Sequence, residues 1–146
     1  MTGKVDFTEE EWKLLLEAPP TAGLLMVTAD KGGSFKESFA VSKAYVEARE
    51  QHGASQLLDE IASAKPVVDR KRHGDAAETK QHHLDTLTRA IELLKAKASS
   101  EDVDAYRAFV LGLCERVAEA AGKGSGAERV SDAEQAEIDE ISAALA

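Results

Sequence analysis

The sequence predicts an all-α protein, a single compact bundle of about six or seven helices. Apolar residues make up 43% of the 146 residues, which is enough to build one core in a chain of this length. Aromatic residues make up only 5%, whereas Ala, Leu, Glu and Lys dominate, as is typical of helices. Apolar side chains also recur at spacings of three and four, the period of one helix face. We therefore expect one helical domain over residues 1–146.

The first helix begins at a capping box. Thr8 precedes Glu11 by three residues, so each side chain can accept a hydrogen bond from the other residue's backbone N–H. Phe7 can pack on Trp12 as a hydrophobic staple. A helix over about residues 9–17 follows, and it is expected to end at the two prolines that come next.

A second helix is expected over about residues 20–30, because proline fits the first turn of a helix. Apolar side chains surround most of this segment, which places it at the centre of the bundle. Its four consecutive apolar residues, 24–27, are also compatible with a short strand that pairs across a turn at 31–33. Both alternatives stay open at this point.

A second capping box, Ser34 with Glu37, opens a helix that runs to about residue 51. Its apolar residues fall on two adjacent stripes, one of Phe35, Phe39 and Val46 and the other of Val41, Tyr45 and Ala48. Gly53 is the expected stop signal. A short helix follows over 56–64 and is closed by Pro66.

Residues 66–76 have no periodicity and are predicted to be a mobile loop. An amphipathic helix over about 77–98 then carries Leu84, Leu87, Ile91 and Leu94. A further helix reaches residue 121 with a stripe of Val103, Tyr106, Val110, Leu113, Val117 and Ala121. A glycine loop at 122–129 leads to a third capping box, Ser131 with Glu134, and a closing helix faces inward through Ile138, Ile141 and Leu145.

The charge balance excludes several function classes. The chain carries 18 basic against 27 acidic residues, a net charge of −9, so no nucleic-acid binding is expected. The basic run at 70–73 is interpreted as a solvated linker. Apolar runs such as 24–27 do not exceed four residues and are far too short to insert in a membrane, and the N-terminus has no apolar block typical of a secretory signal. We expect a cytoplasmic protein, with Cys114 as a small buried side chain.

Acidic residues meet at one predicted helix corner. Asp30 ends one helix and Glu37 begins the next, so the two carboxylates can converge there. Two such carboxylates repel each other, and a divalent cation would relieve that repulsion. The simpler alternative is that Glu37 only closes its capping box and Asp30 only occupies the turn.

A second candidate site combines a histidine with carboxylates. Glu78, His82 and Asp85 are spaced four and three apart, so they share one face of a helix and can hold a metal ion. A solvated polar surface is the alternative interpretation of the same face. No pattern of Ser, His and Asp with a nucleophile elbow occurs in the chain.

Two segments resemble the bacterial tellurite-resistance TerB-like family. The first is 23–32 (GLLMVTADKG) followed by Glu37, and the second runs from 119 through the capping box that contains Glu134. The resemblance implies an all-helical cytoplasmic protein that binds metal through acidic residues and catalyses no reaction. It implicates Asp30, Glu37 and, in the second copy, Glu134. The second copy has Gly122 where an aspartate is expected, so the pair of carboxylates is complete only once.

These observations favour a non-enzymatic helical interaction or stress-associated module that binds a divalent cation weakly at the helix corner. The expected partner is another protein or a second copy of the chain. Two alternatives remain. One is a metal-dependent enzyme that uses Glu78, His82 and Asp85; the other is a purely structural partner-binding subunit, which predicts an exposed apolar patch of roughly several hundred Å².

Overall fold

The computed structural model describes residues 3–29, 35–51, 53, 55–68, 74–121 and 132–146, although the side chains of 27–29, 35–39, 120, 121 and 133 are not among those described. A 3-10 helix at Lys4–Asp6 precedes six α-helices: α1 (Glu9–Ala29), α2 (Phe35–Glu50), α3 (Gln56–Ser63), α4 (Ala76–Lys97), α5 (Ser100–Ala121) and α6 (Asp132–Ala144). No strand occurs in the described ranges. The all-α prediction is confirmed, and the alternative of a strand at 24–27 is wrong.

Local capping fixes where several helices begin. The Thr8 N–H donates to Glu11 Oε1 at 2.9 Å, and the Glu11 N–H donates to Thr8 Oγ1 at 3.1 Å. The Phe7 and Trp12 rings lie 6.2 Å apart, as the staple predicts. Side chains also cap α3 and α4, where Ser55 accepts a hydrogen bond from the Leu58 N–H and Asp75 accepts one from the Glu78 N–H.

The core contains side chains from all six helices. Helix α1 packs mainly on α4 and α5, and α2 packs on α5 and α3. Most members of the predicted stripes of the later helices are buried: Leu87, Ile91, Leu94, Val103, Tyr106, Val110, Leu113, Val117, Ile138, Ile141 and Leu145. Leu84 is partly buried against the core, and the side chain of Ala121 lies outside those described. Leu25 and Met26 are buried too, which is consistent with a central position for this part of α1.

The prediction that the first helix ends at the two prolines is wrong. Helix α1 continues through Pro19 and Pro20 without interruption. Each proline lacks an N–H, so the carbonyl four residues earlier loses its helical hydrogen bond. The carbonyls of Leu15 and Leu16 are therefore left free by the helix itself.

Other parts of the chain supply the two missing donors. The Tyr106 hydroxyl donates to the Leu15 carbonyl at 2.8 Å, and this bond is buried. The Val67 N–H donates to the Leu16 carbonyl at 3.5 Å. Because both carbonyls are paired, the cost of continuing the helix through the prolines is reduced. The sequence pattern of α1 alone contains neither donor.

Three further predictions need correction or lie outside the described residues. Val46 was predicted on an inner stripe of α2, yet it is 46% exposed, while its neighbours Ala44 and Tyr45 are buried. The predicted loop at 66–76 begins with a segment attached to α1 through Val67, and its last residue already belongs to α4. The glycine loop at 122–129 lies outside the described residues.

Helix α6 is held at its C-terminal end by side chains from α4 and α5. The Thr88 hydroxyl donates to the carbonyl of residue 144 at 3.1 Å, and Arg107 Nε donates to that of residue 145 at 2.8 Å. Lys95 Nζ donates to the carbonyl oxygen of residue 146 at 2.7 Å. Three consecutive carbonyls that a helix end leaves free are thus paired.

We expect Tyr106→Phe to lower the free energy of unfolding by about 1–3 kcal/mol, because it leaves the buried Leu15 carbonyl without a donor. Urea denaturation measures this loss. In a Pro19→Ala background the new alanine N–H can serve the same carbonyl, so the loss should shrink in the double-mutant cycle. An equal loss in both backgrounds would contradict the role given to Tyr106.

Candidate functional site

A groove of about 430 Å³ lies between the middle of α1, the second half of α2 and the segment after α3. Three stretches of chain line it, within 20–24, 41–49 and 66–68. Its volume is in the range of roughly 300–1,000 Å³ that is typical of small-molecule sites. We call this feature the α1–α2 groove.

The same contacts that support α1 also form the walls of the groove. The Val67 N–H bond to Leu16 holds the segment of Pro66 and Val68 against α1. Gly23 allows α2 to approach closely, since a Cβ there would lie 3.0 Å from Val41 Cγ2. The groove is therefore a product of tertiary packing on the proline-containing helix.

Two exposed apolar side chains line the groove, beside the exposed Ser42 and Arg49. Val46 is 46% exposed and Val68 is 42% exposed. Within the described residues the exposed large hydrophobic side chains are Val46, Val68 and Val5, and Val5 does not line the groove. Two exposed valines, one from α2 and one from the segment after α3, are therefore available to an apolar ligand.

Tyr45 contributes the inner wall. It is 3% exposed, and its ring packs edge-on against Phe109 with 5.2 Å between the ring centroids. Burial raises the pKa of the Tyr45 phenol, partly opposed by the Arg49 charge, so the hydroxyl remains a neutral donor. This buried hydroxyl has no hydrogen-bond partner among the described residues.

Arg49 gives the groove a positive charge. Its Nε donates to the Ala62 carbonyl at 2.7 Å, which fixes the guanidinium against α3. Within the described ranges, no carboxylate lies at ion-pair distance from Arg49. No acidic residue is among the described residues that line the groove. In a chain with a net charge of −9, this is a locally positive site.

A second cavity, of about 270 Å³, lies between α2, α3 and α5. Its walls carry small residues such as Ala44, Ala48 and Gly112, and it is crossed by an ion pair of Arg116 with Glu47. One contact of this pair, from Arg116 Nη1 to Glu47 Oε1, measures 2.9 Å. Arg116 and Glu47 therefore neutralise each other, and Asp59 accepts a hydrogen bond from the Gly53 N–H at 2.9 Å. These pairings make the cavity a weaker candidate than the α1–α2 groove.

The carboxylates of the predicted acidic corner are not among the side chains that the structure describes. Asp30 lies outside the described residues. Glu37 belongs to the first turn of α2, but its side chain is not described. The cation site at this corner therefore stays a prediction.

Glu78, His82 and Asp85 all lie on α4, as predicted. Glu78 and Asp85 are exposed, and Asp85 Oδ1 accepts a hydrogen bond from Gln81 Nε2 at 3.0 Å. Among the residues that the structure covers, no group of three or more His, Cys, Asp or Glu side chains is arranged to hold a metal ion. The structure does not bring these three together as a metal centre.

Glu134, the third acidic residue implicated by the resemblance, is buried. It is 2% exposed and shares the inner face of α6 with Glu137, which is 6% exposed. Counting back four residues from Ile138 reaches Glu134, so helical periodicity carried a signal for this burial that the sequence analysis missed. Lys80 Nζ lies 3.2 Å from Glu137 Oε1 and 3.0 Å from Glu140 Oε2.

Cys114 is buried, as predicted. Burial raises the pKa of its thiol to about 12, with the Glu137 charge adding to the effect. The reactive form of cysteine is the thiolate, which is scarce at neutral pH under these conditions. Cys114 is therefore part of the core and is not suited to act as a nucleophile.

We expect Tyr45→Phe to raise the free energy of unfolding by about 1 kcal/mol, because it removes a buried hydroxyl that has no partner. Urea denaturation of the ligand-free protein is the measurement. Tyr106→Phe is the matched control, since it removes a hydroxyl that is bonded and should act in the opposite direction. A loss of stability in Tyr45→Phe would mean that this hydroxyl has a partner.

Glu137 should make stability depend on pH. Burial raises the pKa of its carboxyl above the ordinary value of 4.5, although Lys80 opposes the shift. The folded state therefore binds the proton more tightly than the unfolded state does. The contribution of Glu137 to the free energy of unfolding is fully present below pH 4.5 and is lost as the pH rises through the raised folded-state pKa. Relative to wild type, Glu137→Gln should gain stability as the pH is raised from about 4 to 7.

Urea denaturation at several pH values tests this expectation. Asp139→Asn is the control, because it removes an exposed carboxylate from the same helix that is not among the charges acting on the Glu137 carboxyl. If the difference in free energy of unfolding between wild type and Glu137→Gln is the same at every pH, the Glu137 carboxyl has the same pKa in the folded and unfolded states, and the expectation is wrong.

None of the helices, over the residues described for them, is long and apolar enough to span a membrane. Comparison with known proteins identifies no relative of the chain. No protein-family model, no curated protein and no solved structure matches the chain.

Proposed function

We propose that the chain is a non-catalytic helical binding module that takes a small apolar ligand in the α1–α2 groove. The observation that carries the proposal is the placement of Val46 and Val68, both exposed, on the rim of a cavity of about 430 Å³. Exposing these valines to water is unfavourable, and an apolar ligand would relieve that cost. The groove supports the expectation, made from the sequence, of an interaction module.

The chemistry around the groove supports binding without catalysis. Its inner wall offers a neutral phenol in Tyr45, and its charged group is an arginine, which only donates hydrogen bonds. Cys114 is buried, with a raised thiol pKa that keeps it protonated. A positioned acid, base or nucleophile is not among the described lining residues.

A small molecule fits the groove better than a protein surface. A purely structural partner-binding subunit would expose an apolar patch of roughly several hundred Å². In the described part of the chain, the exposed large hydrophobic residues at the groove are only two half-exposed valines. We further propose that the module acts in the cytoplasm, as its composition suggests, and that it does not bind nucleic acid because of its charge of −9.

Binding of a neutral apolar dye, Nile red, tests the proposed site. We expect wild type to bind the dye and the double variant Val46→Ser, Val68→Ser to bind it at least about tenfold more weakly, because both apolar rim contacts are lost. Fluorescence titration gives the two dissociation constants. Since both valines are exposed, the double variant should remain folded by circular dichroism.

Val5→Ser is the matched control, because Val5 is 93% exposed and lies outside the groove. Its affinity for the dye should equal that of wild type. A second variant, Ser42→Phe, should block the groove by filling it from the exposed face of α2. If all four proteins bind Nile red equally, or none binds it, the α1–α2 groove is not the site.

A further inference from the structure

We propose that the ligand of the α1–α2 groove is an apolar carboxylic acid in its ionised form, whose carboxylate accepts a hydrogen bond from the Tyr45 hydroxyl and pairs with Arg49. This inference rests on the proposed function and deepens it by naming the chemical class of the ligand. It depends on three properties of the groove: a buried hydroxyl without a hydrogen-bond acceptor, an arginine without an ion-pair partner among the described residues, and otherwise mostly apolar walls.

The unused donor is the Tyr45 hydroxyl. It is buried and has no hydrogen-bond partner among the described residues. The other tyrosine, Tyr106, is buried as well, and its hydroxyl is used to pair a carbonyl of α1. A buried donor without an acceptor is unfavourable. A ligand that brings an acceptor into the groove would satisfy it.

The cation determines which kind of acceptor fits best. Arg49 is oriented by the bond from its Nε to the Ala62 carbonyl, and no carboxylate from the described residues neutralises it. Hydrogen bonds between arginine and a carboxylate are stronger than those between neutral groups. A negatively charged acceptor therefore fits better than an alcohol, an amide or a ketone.

The remainder of the ligand should be hydrocarbon. Pro20, Leu24, Val41, Val46 and Val68 supply apolar wall on three sides of the groove. A cation and a phenol donor beside apolar walls match a molecule with one anionic head and one apolar tail. The volume of about 430 Å³ suits a free small molecule of this kind.

Isothermal titration with three probes of equal chain length tests the proposal: decanoate, 1-decanol and decyltrimethylammonium, each below its critical micelle concentration. We expect wild type to bind decanoate at least about tenfold more tightly than decanol, because a hydrogen bond to a charged group adds about that factor. The cationic probe should bind most weakly. Decanoate binding no tighter than decanol binding would overturn the proposed ligand class.

Variants of the two polar residues separate the head group from the tail. Tyr45→Phe and Arg49→Met should each weaken decanoate binding by about tenfold and change decanol binding by less than about twofold. Arg49→Lys should recover part of the decanoate affinity, because it restores the charge without the planar guanidinium. Equal losses for both probes in Tyr45→Phe and Arg49→Met would overturn the roles given to these side chains.

The probes also distinguish failure of this inference from failure of the proposed function. If decanol and Nile red bind at the groove but decanoate gains nothing, the groove is a binding site and its ligand is not a carboxylate. If no apolar probe binds, both proposals fail. N-acetyl-trileucine with a free carboxylate is a fourth probe, and it represents an apolar peptide C-terminus. Tighter binding of this peptide than of decanoate would overturn the proposal that the ligand is a free small molecule.

Discussion

The fold depends on how two backbone carbonyls in the middle of α1 are paired. Proline removes the N–H groups that would normally bond to Leu15 and Leu16, and α1 is the helix on which α4 and α5 pack. Tyr106 replaces one donor from α5, and Val67 replaces the other from the segment after α3. These two bonds offset part of the cost of continuing α1 through the prolines, and the second also attaches the segment that forms one wall of the α1–α2 groove.

Much of the fold was predictable, because it is encoded in contacts between residues close in sequence. The capping box at Thr8 and the apolar stripes of α4, α5 and α6 need only local geometry and helical periodicity. The path through Pro19 and Pro20 was not predictable, because the donors that compensate for them come from residues 67 and 106. The hydrogen-bond donor that a proline removes follows from local rules, but the donor that replaces it comes from a tertiary contact.

The candidate site was less predictable than the fold. The acidic residues of the sequence predicted a cation site, and the apolar periodicity of α2 predicted Tyr45 and Val46 on neighbouring apolar stripes. In the structure one of these adjacent residues is buried and the other is exposed at the groove rim. Arg49 gave no signal, because its importance comes from its position beside a phenol and the end of α3. A site formed by three distant segments has no sequence motif of its own.

The attachment of α6 has a consequence for the connectivity of the molecule. Side chains of α4 and α5 bind the carbonyls of residues 144–146, Lys80 pairs with two α6 glutamates, and Ile141 is fully buried. Covalent linkage to α5 mainly raises the effective concentration of α6 near its binding surface. If the chain were cleaved between α5 and α6, we would therefore expect the fragment that contains α6 to bind non-covalently to the rest of the protein.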